Sequence, residues 1–142
     1  MLVANLEQAD VLVHWPTPLY RQPLQQLWPG ALTVVLPAKP QVPAYVRGGF
    51  PTIGVRCPNH ATLQKLLCES GPWVATSVNT SGQVPLSDEA LIRSVYQDQV
   101  DEFLFFDPKP SGQASTVVDL TVAPPKVLRQ GPQSVALLLA CV

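Results

Sequence analysis

The sequence predicts an α/β or α+β fold, a twisted mixed sheet with helices packed on it. Three observations carry that expectation. β-Branched runs such as "ALTVVLP" alternate along the chain with helical patterns such as "HATLQKLLCES". Three further strand-like runs crowd the end of the chain, which makes the sheet mixed rather than all parallel. Sixteen prolines, about twice the usual frequency of roughly 5%, keep the strands short and argue against long helices.

The elements follow in order. Asn5 is placed to cap a helix reaching about Trp15, and Thr17 to start a second whose Leu19, Leu24, Leu27 and Trp28 share one face. "WPG" stops it. "ALTVVLP" is the first strand, and Pro37, Pro40 and Pro43 mark a loop before the second, "TIGVRC", Thr52 to Cys57. Pro58 and Asn59 open the helix "HATLQKLLCES", with Leu63, Leu66 and Leu67 inward and Gly71 as its stop. "WVATS" reads as a strand. Ser87 reads as the N-cap of a helix to about Gln97, with Asp88 and Glu89 in its first turn. "EFLFFD", "STVVDLT" and "KVLR" read as the last three strands, and the length of 142 residues suits one domain.

Composition excludes several function classes. Nine Lys and Arg stand against ten Asp and Glu, scattered along the chain, so there is no broad basic face for nucleic acid or an anionic membrane. Any polyanion must be met locally. No apolar stretch approaches the roughly 20 residues of a membrane span, and "MLVANLEQADVLVHW" lacks the features of a secretory leader, so the expected setting is the cytoplasm. Cys57, Cys68 and Cys141 form no C-x-x-C pair and are expected to be reduced packing residues. His14 and His60 have no ligand partners at metal spacing, so no protein-bound metal site is expected. G-x-S-x-G, G-x-x-x-x-G-K-[ST] and G-x-G-x-x-G are all missing.

Three short stretches carry hydrogen-bonding chemistry beside apolar runs. "SVNTSG", Ser77 to Gly82, follows "GPWVAT", at the kind of strand end where open sheets bind ligands, although its side chains could equally close a turn on their own backbone. "SGQASTVVD" sets small polar residues beside a buried strand, and "VRCPNH" ends a strand on Arg56. Arg56 and Arg129 are each suited either to solvent or to a carboxylate or phosphate held by a forked guanidinium. Lys39 and Lys109, in proline-flanked loops, read as solvated.

Together, "LWPGALTVVL", "TIGVRCPNH", "WVATSVNTSG", "STVVDLT" and "VLRQG" resemble, in order and spacing, the YrdC-type threonylcarbamoyl-AMP synthase family. The resemblance covers about Leu2 to Gly131, so the YrdC-like domain is expected over 1–131, partial, with 132–142 as a C-terminal tail. It implies a reaction of L-threonine, bicarbonate and ATP, the ATP accompanied by magnesium, giving threonylcarbamoyl-AMP and pyrophosphate. Other proteins then place the carbamoyl-threonine on tRNA, so tRNA-modification proteins and RNA are the implied partners. By motif match, Thr52, Ser77, Asn79 and Arg129 fall on ATP-contacting positions, and Arg56, Ala75 and Ser115 on threonine-contacting ones. No catalytic side chain is assigned.

The resemblance also implies an upstream segment with P-T-[DE]-T-x-Y-G-L and K-x-R-P motifs, whose lysine and arginine meet the ATP phosphates; this sequence starts after both. The sheet is therefore expected to be N-terminally incomplete, leaving Leu2, Val3, Leu12 and Val13 uncovered and the chain prone to self-association. The alternative reading is a catalytically weak or inactive module that holds nucleotide or RNA.

Overall fold

The computed structural model describes residues 1–80, 82–105 and 112–141. They divide into two compact units, Met1–Ala75 with Ala114–Val142, and Thr76–Gln113.

In the first unit, alternation of apolar and less buried residues makes a sheet with one packed face. β1 (Leu32–Pro37), β2 (Thr52–Arg56), β3 (Thr116–Asp119) and β4 (Lys126–Arg129) lie in the order β2-β1-β3-β4. β1 runs antiparallel to β2 and parallel to β3, and β4 closes the far edge antiparallel to β3, so the sheet is mixed. Leu32, Val34 and Leu36 of β1, Val55 of β2 and Val118 of β3 are fully buried. They share one core with Leu6, Ala9 and Leu12 of α1 (Leu6–Leu12) and Leu24 and Leu27 of α2 (Arg21–Leu27). The alternate residues, Thr33 and Val35 of β1, Thr52, Gly54 and Arg56 of β2 and Val117 of β3, occupy the opposite, less covered face.

Several expected elements are shifted, each for a local reason. Asn5 caps α1 as read, its side chain accepting from the Gln8 N–H, but the helix stops at Leu12 because Val13 turns extended and bridges Ala38. Thr17 starts a three-residue 3₁₀ turn, Pro18–Tyr20, rather than the second helix itself. That turn breaks the 3.6-residue period, so Leu19 is exposed while Leu24, Leu27 and Trp28 are buried. His60, not Pro58 or Asn59, caps α3 (Ala61–Ser70): its Nδ1 accepts from the Leu63 N–H at 3.2 Å. Gly71 ends that helix at φ +87, and of its three inner leucines only Leu67 is fully buried.

"WVATS" is not a strand. Trp73 makes a single bridge to Leu2, and Val74 to Ser77 are exposed without pairing. The helix expected from Ser87 is α4 (Glu89–Tyr96), and its cap is Asp88, whose carboxylate accepts from the Leu91 N–H at 2.8 Å. "EFLFFD" is unpaired over 102–105, and its last two residues, like Lys109, Ser81 and Ser111, lie outside the described residues. Cys57 packs in the core and Cys141 against it, whereas Cys68 is exposed. Lys39 donates from Nζ to the Asp10 carbonyl at 2.5 Å instead of standing in solvent. Val3, Leu12 and Val13, expected to be uncovered, are buried. Beyond Gly131, α5 (Ala136–Leu139) sends Leu138 into the core beside α2.

The second unit is built around α4. Arg93 lies over the rings of Phe103 and Phe105, at 4.8 and 5.3 Å, and those two rings stack 5.9 Å apart. Among the described residues, no helix is long and apolar enough to cross a membrane.

Candidate functional site

On the less covered face, cross-strand register puts the chemistry in one row. Thr33 of β1 is the direct partner of Arg56 on β2 and of Val117 on β3, and Val117 is in turn the partner of Arg129 on β4. The register of β4 slips by one residue between Val117 and Val118, an irregularity that brings Arg129 rather than Leu128 opposite Val117. Residues paired directly across strands point to the same face, so both arginines rise from the same side of the sheet.

Each guanidinium is held by backbone. Arg56 donates from Nε to the Gly30 carbonyl at 3.3 Å. Arg129 reaches back over the start of β3, donating from Nε to the Ser115 carbonyl at 2.9 Å and from Nη2 to the Ser115 hydroxyl at 3.2 Å. Gly131 lets the strands come this close, because a Cβ there would lie 2.3 Å from the Thr116 amide nitrogen. Ser115 is 5% exposed, and its Oγ also lies 2.8 Å from Thr33 Oγ1.

The two arginines sense each other's charge. Burial, and then the neighbouring charge of Arg129, lower the pKa of Arg56 from its usual value. Among the described residues, neither arginine forms an ion pair with a carboxylate. Two like charges on one face with hydroxyls between them favour an anion that presents two or three acceptor oxygens, a carboxylate or a phosphate.

Thr52 lies on the same face, four residues along β2 from Arg56. With Gly54, Phe50 and Arg47 it lines a depression of about 330 Å³. Ala75 is exposed at the end of its segment. Ser77 and Asn79 belong to the second unit, where Ser77 is exposed. The Asn79 amide, expected to face a ligand, donates from Nδ2 to the carbonyls of Thr80 and Gln83 at 3.0 and 3.1 Å, closing the loop on itself. Its Oδ1 is buried with no hydrogen-bond partner among the described residues. Among the described residues, no group of three His, Cys, Asp or Glu is arranged to hold a metal.

Sequence reasoning missed Thr33 and Gly30. Thr33 had a signal: it is the one hydroxyl in "ALTVVLP", at an outward position of an otherwise apolar strand. Gly30 contributes only a carbonyl, which no side-chain pattern reveals.

A mixed sheet with helices packed on it, whose less covered face carries two register-linked arginines, is an α+β fold, and comparison with known proteins gives its kind. Residues 1–131 match the sequence model of the Sua5/YciO/YrdC family, described as "Telomere recombination", and the chain belongs to that family. A Mycobacterium leprae relative, provisionally named a threonylcarbamoyl-AMP synthase, is 35% identical over 136 residues, 96% of this chain and 62% of its own length. The threonylcarbamoyl-AMP synthase of Pyrococcus abyssi is 32% identical over 130 residues, 91% of this chain and 38% of its own length. This chain therefore spans less than two thirds of either relative. Among solved structures, P. abyssi Sua5 complexed with L-threonine aligns with a TM-score of 0.83 at 33% identity, over 92% of this chain and 38% of that one. E. coli YciO aligns with a TM-score of 0.73 at 26% identity, over 95% of this chain and 66% of that one.

Proposed function

We propose that this chain acts in L-threonylcarbamoyladenylate synthesis, joining L-threonine, bicarbonate and ATP to give threonylcarbamoyl-AMP and pyrophosphate for tRNA modification in the cytoplasm. The observation that carries the reading is the row Arg56, Thr33, Ser115 and Arg129 on one sheet face, two cations and two hydroxyls with no carboxylate partner among the described residues. Support comes from the family match and from the likeness to a Sua5 complexed with L-threonine.

In this reading Arg56 and Ser115, with the backbone at Ala75, receive the threonine carboxylate and leave its amine free. The amine adds to the carbon of bicarbonate, and loss of the elements of water gives a carbamate. A carbamate oxygen then attacks the α-phosphorus of ATP; the new P–O bond forms as the bond to the β-phosphate oxygen breaks, and pyrophosphate leaves with the magnesium that accompanies ATP. Thr52 and Arg129 are assigned to the nucleotide, and Ser77 and Asn79, in the second unit, are assigned to it by their motif alone. Such a reaction rests on positioning and on stabilising charge, which fixed guanidiniums and hydroxyls supply without a covalent nucleophile. tRNA-modification proteins are the proposed recipients of the product.

The test is calorimetric titration of L-threonine and of Mg-ATP into the chain, followed by assay of pyrophosphate release with threonine and bicarbonate present. Binding with release supports the enzyme. Binding without release supports the module that only holds nucleotide, and no binding of either ligand overturns the proposal.

A further inference from the structure

The Ser115 hydroxyl sits between two groups that constrain its single proton. A serine Oγ offers one proton and two lone pairs, and Arg129 Nη2 can only donate, so its contact at 3.2 Å uses one lone pair. The contact with Thr33 Oγ1 at 2.8 Å runs in one of two directions. If Ser115 donates to Thr33, the serine turns a lone pair toward the face and repels an anion. If Thr33 donates to Ser115, both lone pairs are used and the serine proton is left to point at the ligand.

We infer that Thr33 is a positioning residue for the threonine carboxylate: it donates to Ser115 and so leaves the Ser115 proton free for the ligand. This rests on the proposed threonine reading and adds a residue to it. A second observation supports it. A Cβ at Gly54 would lie 3.3 Å from Thr33 Cγ2, so the threonine methyl sits over β2 at a residue with no side chain while its hydroxyl faces β3 and Ser115. A β-branched side chain has few χ1 choices, so a methyl seated over β2 fixes the hydroxyl on the β3 side. Thr33 stands in the row directly beside Arg56, and its hydroxyl reaches the Ser115 that Arg129 also contacts.

The experiment titrates L-threonine calorimetrically into the full chain and its variants. Thr33→Val, close in shape but without the hydroxyl, should bind about tenfold more weakly; Thr33→Ser should return to within about threefold of wild type. In a Ser115→Ala background, Thr33→Val should add less than about twofold, because the two hydroxyls act as one unit. Thr33→Ala reads the same loss if the valine variant does not fold. Unchanged affinity in Thr33→Val, failure of Thr33→Ser to rescue, or a full additional loss in the Ser115→Ala background each overturns the inference while leaving threonine binding intact. No uptake of L-threonine by the wild type overturns the threonine reading and this inference together.

Discussion

Arg56 and Arg129 rise from the same face of the sheet, joined through the register partners Thr33 and Val117, and the charge of Arg129 helps to lower the pKa of Arg56. Like charges held together with no carboxylate partner among the described residues oppose folding slightly and favour an anion. Arg56→Gln should therefore unfold no earlier than wild type without ligand, yet gain much less stability when L-threonine is added. A charge-assisted hydrogen bond contributes about 1.5–3 kcal/mol, so affinity should fall about ten- to a hundredfold. Thermal unfolding with and without L-threonine checks both halves; an equal drop in both would make Arg56 a structural residue.

Asp10 ties α1 to the segment that follows it. Its Oδ1 accepts from Trp15 Nε1 at 2.7 Å and from Arg21, whose guanidinium also lies over the Trp15 ring. Burial alone would raise the carboxyl, but the hydrogen bonds from Arg21 and Trp15 and the charges of Arg21 and Lys39 outweigh it and hold the pKa below its usual value. A depressed folded pKa contributes stability that is present above the unfolded pKa and lost as pH falls through the folded one. Asp10→Asn should thus lower stability at neutral pH by about 1 kcal/mol or less, since both partners are more than a third or nearly a third exposed. Urea unfolding should show the two proteins converging in acid; a constant gap would mean that charge is not the cause.

Gly131, the last residue of "VLRQG", lies hard against the backbone at the start of β3. Its amide donates to Thr116 Oγ1 at 3.1 Å, and an added Cβ would meet the Thr116 nitrogen at 2.3 Å and the Ala114 oxygen at 2.6 Å, all backbone that cannot step aside. Gly131→Ala should cost at least the about 1–3 kcal/mol of an overpacked core, and it should also move Arg129 off Ser115. A lowered Tm together with weakened ligand binding is expected. An unchanged Tm would show that β3 and β4 can separate there at little cost.

The first two strands were legible because they are β-branched runs bounded by proline and glycine, and they formed where they were read, at Leu32–Pro37 and Thr52–Arg56. The site was legible only where a motif named a side chain. Thr33 joins Ser115 across 82 residues of sequence, and the register slip that aims Arg129 depends on pairing between strands, so neither can be read from local spacing. The failed strand at "WVATS" has the same origin. β-Propensity describes how residues suit a paired surface, and Val74 to Ser77 find no neighbouring strand among the described residues. Helix starts were misplaced by one or two residues where a better acceptor stood nearby, Asp88 beside Ser87 and the His60 ring beside Asn59.

The C-terminal segment offers a test within two adjacent residues. In α5, Leu138 is fully buried and belongs to the same core cluster as Leu24 and Leu32, whereas Leu139 is 42% exposed. A tail would tolerate either truncation. Leu138→Ala should instead cost about 2–5 kcal/mol through lost burial and the cavity left behind, a large part of a total stability of roughly 5–15 kcal/mol. Leu139→Ala should stay within about 0.5 kcal/mol of wild type, as surface substitutions do. Denaturant unfolding of the two variants side by side measures the difference, and L-threonine titration of Leu139→Ala should match wild type. Equal, small effects at both positions would show that α5 leaves the core in solution and that the segment behaves as the tail its sequence suggested.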